Sequence, residues 1–306
     1  MGVVAPYVGS EGVATPYVSL TEVKFSPTAG AIDFSNLVGN ASQAVQDRAL
    51  YELIKRASSM ADVHIYGKFG TLSATQNTEN GRTHVNRLGQ IVVHPYFTPI
   101  LELVSFAAGY GPGSALEPAT LSSNNVEIER EQFVVTTNVG LGPLVQFGSL
   151  NLIGGSWSTN NEVFVQYTYV NGFPNTFSTA SMTAGSTTMS VASTVGIYPG
   201  SQLMIWDGMN DEPVIVSTVG TNSVTFASPV AYNHGVGCNL SSIPAVVKQA
   251  VIHLVVGLIK QRGQGGLVLN ELGEPTPYAG SSVMNSEDLT IGYALLEEFK
   301  AVWGRS

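Results

Sequence analysis

One stretch, residues 245–262, restricts the fold of this chain more than any other. Pro244 suits the first position of a helix and Gly263 suits its end, so the stretch is predicted to be helical. Its apolar residues would lie on almost every side of the helix, which is typical of a helix at the centre of a bundle. Lys248 and His253 interrupt the apolar run, so we do not expect it to cross a membrane.

Two further long helices are predicted to pack around this one. Over residues 42–66, apolar residues recur at the spacing of one helix face. A terminal helix is predicted to begin near Ser286, which would cap it before two acidic residues. This helix has two apolar faces, and we expect one of them to contact another subunit. The first face comprises Leu289, Tyr293 and Leu296, and the second comprises Ile291, Leu295, Phe299 and Val302.

The residues between the helices favour β-strands. Asn80-Gly81 is typical of a tight turn, and residues 127–137 and 163–170 alternate as strands do. In 177–242, turn residues separate short β-branched runs at intervals of roughly a dozen residues, which predicts a small sandwich or barrel. The predicted fold class is therefore α+β: a helical bundle built from the N- and C-terminal segments, with a large β-rich insertion.

Four parts are predicted along the chain. They are an extended N-terminal arm (1–18), a helical core (19–67 and 243–306), a β-rich segment (68–176) and a small β insertion domain (177–242). The arm contains a repeat, because Ala5-Pro6-Tyr7-Val8 recurs as Thr15-Pro16-Tyr17-Val18. Proline disfavours helix, so we expect the arm to lie extended on a neighbouring subunit. The alternative is a frayed tail with a chance repeat.

Charge is scarce in this sequence. Charged residues make up 11% of the chain, less than half of the roughly 25% typical of globular proteins. A surface with so few charges is either covered by partners or made polar by Ser, Thr and Asn. The net charge is −9, and no Lys or Arg occurs from residue 131 to residue 247. We therefore expect no tight binding to DNA phosphates, whereas an acidic pore would let DNA slide through.

Sequence motifs of enzymes and metal sites are absent. The chain lacks a phosphate-binding glycine loop and a serine-hydrolase elbow, and its single cysteine excludes a disulfide within the chain. We expect that cysteine, Cys238, to be a small buried hydrophobic residue. The acidic run 207–212 does not match a calcium loop and is predicted to be a polar hairpin turn. We predict no catalytic, cofactor-binding or metal-binding residue.

Several segments, taken in order, carry a family resemblance. The most specific is VQYTYVNGFPNT at 165–176, and the others lie at 17–24, 33–37, 53–62, 228–235, 243–250 and 295–299. Together they resemble the head-to-tail adaptor (connector) proteins of long-tailed bacteriophages, particularly those of actinobacterial hosts.

The resemblance implies a structural role in the virion. Adaptors of this family have a helical-bundle core and assemble into a ring, usually of about twelve copies, which implies heterologous contacts between two different faces. The ring would dock under the portal protein and above the stopper or tail proteins, at the head–tail interface. Genomic DNA would pass through its lumen without specific binding during ejection, and the protein would be synthesised in the host cytoplasm. The family has no catalytic residues, so the resemblance implies neither an enzyme nor a cofactor.

The predicted contact residues come from the arm and the terminal helix. Those expected to contact neighbouring subunits or the portal are Pro6, Tyr7, Pro16, Tyr17, Leu289, Tyr293, Leu296, Phe299 and Trp303. One alternative is another virion role, such as a stopper, a tail terminator or a minor capsid protein. A second alternative is a carbohydrate-binding or hydrolytic β protein. Its site would combine Trp157 and Trp206 with a row of carboxylates, Glu127, Glu129 and Glu131.

Overall fold

The computed structural model describes residues 16–39, 41–67, 70–86, 89–109, 116–136, 162–264, 268–269, 275–276 and 287–300. The chain mixes α-helices with β-strands and forms two compact units. One unit is residues 74–173, and the other joins residues 1–73 to residues 174–306. The finer division into an arm, a helical core and two β-rich parts stays a prediction. The predictions made for Pro6, Tyr7, Trp157 and Trp303 lie outside the described residues.

The described part of the 74–173 unit is built from two antiparallel sheets. Its strands are β1 Thr75–His84, β2 Gln90–Val93, β3 Ile100–Gly109, β4 Glu117–Pro118, β5 Val126–Ile128, β6 Phe133–Thr136 and β7 Glu162–Asn171. One sheet has the order β1-β7-β3-β4 and the other the order β2-β6-β5. Alternate residues of β7 are buried, including Val163, Val165, Tyr167 and Tyr169, and they join the core of this unit.

Two sequence predictions in this unit are wrong. Asn80-Gly81 is not a turn, because it lies in the middle of β1 and pairs with residues of β7. Gly89, which also favours a turn by its sequence, does lie in one: its φ of 74° suits glycine and its amide donates to the carbonyl of Asn86. The predicted strand 127–137 is in fact a hairpin of β5 and β6, with a turn closed from Glu129 to Gln132. In both cases pairing in the sheet overrides the local pattern.

In the described residues of the second unit there are four α-helices: α1 Leu20–Phe25, α2 Gln43–Tyr66, α3 Ala245–Gln264 and α4 Glu287–Leu296. Short 3₁₀ turns follow at Pro27–Ala29, Phe34–Asn36 and Glu297–Phe299. A capping box starts α1, in which Ser19 and Glu22 satisfy each other's backbone amides. α3 contacts both α2 and α4, and its residues Val251, Leu254 and Val255 are fully buried. Among the described residues, α3 is therefore a buried helix packed against α2 and α4.

A six-stranded antiparallel sheet completes this unit. Its strands are β8 Asn175–Phe177, β9 Thr188–Ser190, β10 Gln202–Trp206, β11 Glu212–Val219, β12 Ser223–Phe226 and β13 Asn239–Ser241, in the order β8-β13-β10-β11-β12-β9. The sheet curls, because a bridge between Ser178 and Val191 joins its two edges just beyond β8 and β9. Its core contains Met189, Ile205, Val224 and Leu240. A short pair, β14 Val268–Leu269 with β15 Pro275–Thr276, follows α3.

Candidate interaction surface

An open groove of about 480 Å³ lies between α2 and the C-terminal end of α4. Ser59, Met60, Val63 and His64 line it from α2, and Tyr293 and Lys300 line it from the other side. Val63 leaves 54% of its surface exposed. The ring centroids of His64 and Tyr293 lie 4.9 Å apart, and Nε2 of His64 lies 3.0 Å from Oε2 of Glu297. The groove is thus lined by both apolar and polar side chains.

The terminal helix contributes less to this surface than the sequence predicts. Leu289 and Leu296 are 7% and 0% exposed, because they pack inside the same chain. The helix backbone also approaches α3 closely, since a Cβ on Gly292 would lie 2.9 Å from Cδ2 of Leu254. The prediction that Leu289 and Leu296 contact another subunit is therefore corrected: this face is covered by the chain's own core.

Other residues of the terminal helix are only partly covered. Tyr293 is half-buried in the wall of the groove, and Phe299 is also half-buried. Ile291 leaves 36% of its surface exposed, so it is the apolar residue of α4 best placed to contact a partner. Of the first predicted face, Leu289 and Leu296 are buried and Tyr293 is half-buried at the groove, whereas Ile291 of the second face is exposed.

Pro16 and Tyr17 are also buried within their own chain. Asn175 donates a hydrogen bond to the carbonyl of Pro16, and the amide of Tyr17 donates to Oγ of Ser58 at 3.1 Å. The hydroxyl of Tyr17 donates to Asp62. These contacts fix the segment against α2 and leave Tyr17 0% exposed. The prediction that these two residues lie on a neighbour is corrected, because the buried polar groups of the tyrosine find their partners inside the subunit.

Asp62 is a buried carboxyl with an unusual acidity. Its Oδ1 accepts hydrogen bonds from the hydroxyl of Tyr17 and from the amide of Leu72, the latter at 2.9 Å. Burial raises the pKa of Asp62 from 3.8 to about 7, although these hydrogen bonds act in the opposite direction. Burial and the neighbouring carboxyl also raise the pKa of Tyr17. Tyr17 and Asp62 therefore hold the segment around residue 17 against α2, and the strength of this contact depends on pH.

Lys248 is a buried amine, which the sequence revealed only as an interruption of the apolar helix. Its Nζ lies 2.9 Å from the carbonyl oxygen of Tyr17, 2.8 Å from Oε1 of Glu22 and 2.6 Å from Oδ1 of Asn239. The ring of Trp206 lies beside it, with its centroid 4.8 Å from Nζ. Four separate segments thus converge on one amine that is 3% exposed.

A second polar cluster joins the turn between β10 and β11 to the loop after β12. Nδ1 of His234 lies 2.8 Å from Oδ2 of Asp207, and Nε2 lies 2.7 Å from Oε1 of Glu212. The ring of His234 thus lies between two carboxyl groups, with one ring nitrogen against each. The other two carboxylate oxygens accept from backbone amides. Every oxygen of the two carboxylates has a partner, so the cluster is a structural link.

These bonds also shift the acidity of both carboxyls. Burial alone would raise their pKa values, but hydrogen bonds from backbone amides and from His234 hold the pKa of Asp207 and of Glu212 below the ordinary range. The predicted polar hairpin turn at 207–212 is confirmed. Cys238 is buried as predicted, and burial raises the pKa of its thiol.

The carboxylate row that supported a hydrolytic alternative is not formed. Glu127 lies in β5, whereas Glu129 and Glu131 lie in the turn after it, and all three are exposed. The row is broken because the backbone reverses between β5 and β6. Trp206 belongs to the other unit and packs on Lys248. Among the residues that the structure describes, no group of three or more His, Cys, Asp or Glu side chains is placed to hold a metal ion.

Comparisons with known proteins add no identification. Neither a protein-family model nor a curated protein matches this chain. Within the described ranges, none of the helices has the length and apolar character that crossing a bilayer requires.

Proposed function

We propose that this chain is a structural virion protein, a subunit of the head-to-tail adaptor ring that docks under the portal. In this proposal the helices of the N- and C-terminal segments form the connector core, and the β-rich residues between them are an insertion into it. The protein is not an enzyme, and DNA passes through the ring without being held. The segments that resemble adaptors, which follow one another in the same order between residues 17 and 299, support this assignment.

The observation that carries the proposal is the uncovered apolar surface on the helices. Val63 on α2 is 54% exposed beside the groove, and Ile291 on α4 is 36% exposed. A closed ring is built from heterologous contacts, in which one face of each subunit meets a different face of the next. We infer that the groove with Val63 is one of these two faces.

The net charge supports the role of a conduit. Each subunit carries −9, and a ring multiplies this charge around the lumen. A protein that held DNA through its phosphates would need Lys and Arg along the path, and log affinity would fall steeply with log salt concentration. An acidic wall repels the phosphates and lets the duplex move.

Mass measurement of the purified chain, alone and mixed with the portal protein of the same virus, tests the proposal. We expect about twelve 32.3-kDa subunits per assembled ring. Val63→Glu would place a charge in the subunit contact and should raise the concentration needed for assembly by at least about tenfold. Val195→Glu is the matched control, because Val195 is 47% exposed outside the groove, and this variant should assemble normally.

The outcomes separate the possible roles. A ring that binds the tail side but never the portal would indicate a stopper or a tail terminator. A monomer at all concentrations, with or without portal, would contradict the adaptor. Equal assembly of the two valine variants would show that the groove is not a subunit contact.

A further inference from the structure

Three reactive groups from distant parts of the chain meet in one buried place. Lys248 lies in the first turns of α3, Asn239 is the first residue of β13, and Glu22 lies in α1. Nζ of the lysine is 2.6 Å from Oδ1 of the asparagine and 2.8 Å from Oε1 of the glutamate. The three residues are 3%, 0% and 7% exposed. An amine, a carboxamide and a carboxyl are therefore in contact where water is excluded.

The sheet holds the carboxamide in one orientation. Nδ2 of Asn239 donates to Oδ1 of Asn175 at 2.7 Å and to the carbonyl of Thr176 at 3.0 Å. Both protons of the amide are used, so the amide oxygen is the atom that faces Lys248. Cγ of Asn239 is bonded to this oxygen, so it lies one covalent bond beyond an atom that is 2.6 Å from Nζ of Lys248. Reacting groups held this close react as if at very high concentration.

The surroundings favour the neutral forms of the amine and the carboxyl. Burial raises the pKa of Glu22 despite its contact with Lys248, and burial lowers the pKa of Lys248 despite its contact with Glu22. Moving one proton from Nζ to Oε1 across their 2.8 Å contact converts the ion pair into a neutral pair. A neutral amine is a nucleophile, whereas an ammonium ion is not.

We propose that Lys248 and Asn239 form an intramolecular amide bond, with Glu22 as the acid–base group. Glu22 takes a proton from Nζ, and the nitrogen lone pair attacks Cγ of Asn239 to give a tetrahedral centre. Glu22 delivers that proton to Nδ2, the Cγ–Nδ2 bond breaks, and ammonia leaves. Nζ gives up its second proton to Glu22, so the amide nitrogen keeps one proton and Glu22 ends protonated. One C–N bond forms and one breaks, with no change of oxidation state, so the reaction needs no other reactant. The product ties β13 directly to α3.

The ion pair alone and the cross-link make different predictions. A buried ion pair leaves the mass of the chain unchanged and is broken by denaturant. The amide bond removes one molecule of ammonia and persists in the unfolded chain. This difference is independent of the adaptor proposal, because it concerns a single subunit.

Intact mass spectrometry of the denatured full-length protein is the decisive experiment. We expect a mass about 17 Da below the value calculated from the sequence, allowing for loss of the initiator methionine. Trypsin should fail to cleave after Lys248, so that residues 131–260 form one peptide, since no other Lys or Arg lies between 131 and 259. The calculated mass together with normal cleavage after Lys248 would overturn the proposal.

Three variants identify the roles of the groups. Lys248→Arg and Asn239→Ala should each have the calculated mass. Glu22→Gln keeps the size of the side chain but cannot take the proton, so its mass should also be the calculated one. Lys248→Arg further excludes cyclisation of an asparagine to a succinimide, which loses ammonia without the lysine. A loss of about 17 Da that persists in Lys248→Arg would contradict the amide bond. The mass of the denatured wild-type protein decides the question even if a variant does not fold.

Discussion

Replacing Asp62 by Asn should make the stability of this protein less sensitive to pH. The carboxyl is 7% exposed and lies against the hydroxyl of Tyr17 and the amide of Leu72. Its pKa in the folded protein is about 7, against an ordinary value of 3.8. Asn keeps the oxygen that accepts these two hydrogen bonds and, like the protonated acid, carries no charge. The variant therefore imitates the folded protein as it exists in acid.

The sign of the effect follows from the protons bound in each state. Between pH 3.8 and about 7 the folded chain keeps a proton on Asp62 that the unfolded chain has lost. The free energy of unfolding then falls as pH rises, by about 1.4 kcal/mol per pH unit. Over this window of roughly three units the loss amounts to about 4 kcal/mol. The contribution of Asp62 is complete below pH 3.8 and is lost as pH rises through 7.

Urea unfolding of the wild type and of Asp62→Asn at pH 4, 5, 6 and 7 measures this term. The two proteins should have similar stability at pH 4, and the variant should be the more stable one at pH 7. Subtracting one curve from the other cancels the other titrating groups, including Glu22. Asp33→Asn is the control, because hydrogen bonds from Ser35 lower the pKa of this exposed carboxyl and give the opposite sign. A wild-type-minus-variant difference that stays constant from pH 4 to pH 7 would refute the reasoning.

Substitutions at Gly208 and Gly292 test two close contacts in the unit that contains the helices. Gly208 has φ of +84° and a Cβ there would lie 3.0 Å from the backbone of Thr21, so Gly208→Ala should cost about 2–4 kcal/mol in urea unfolding. Gly185→Ala is the control for Gly208→Ala, because Gly185 has a similar φ of +86° but a Cβ there would have nothing within 4 Å. This control should lose only about 1 kcal/mol of stability. Equal losses in the two variants would show that the contact of residue 208 with Thr21 is unimportant. Gly292→Ala gains about 1 kcal/mol of helix propensity, but the new methyl group would clash with Leu254. We therefore expect thermal unfolding to show a net loss of stability of about 1 kcal/mol. A stabilised variant would contradict the packing of α4 on α3.

Elements that depend on near neighbours in the chain could be predicted from the sequence. The all-round apolar pattern of α3, the apolar face of α2 and the polar turn at 207–212 all appear where their residue spacing predicts them. The reason is that helix periodicity and turn chemistry act over a few residues. The four strands β9 to β12 were predictable for the same reason, because turn residues separate them at short intervals.

Pairings between distant residues were decided only by the tertiary structure. Asn80-Gly81 has the composition of a turn, yet β7 pairs with it across more than eighty residues and makes it a strand. Tyr17 belongs to a segment that the sequence predicts to be a surface arm, yet hydrogen bonds with Asp62 and Ser58 hold it in the core. In both cases the partner comes from a distant part of the chain, and Tyr17 needs one because a buried polar group must be hydrogen-bonded.

Lys248 shows this limit most clearly. In the sequence it is a charge that interrupts the apolar part of a helix, and its spacing does not indicate Glu22, which lies 226 residues away. Sequence patterns record which side chains avoid water, so they place Lys248 at the centre of the protein without naming its neighbours. Chain packing alone sets its contacts with Glu22 and Asn239, because the distance between two buried groups depends on how helices and strands stack rather than on their order in the chain.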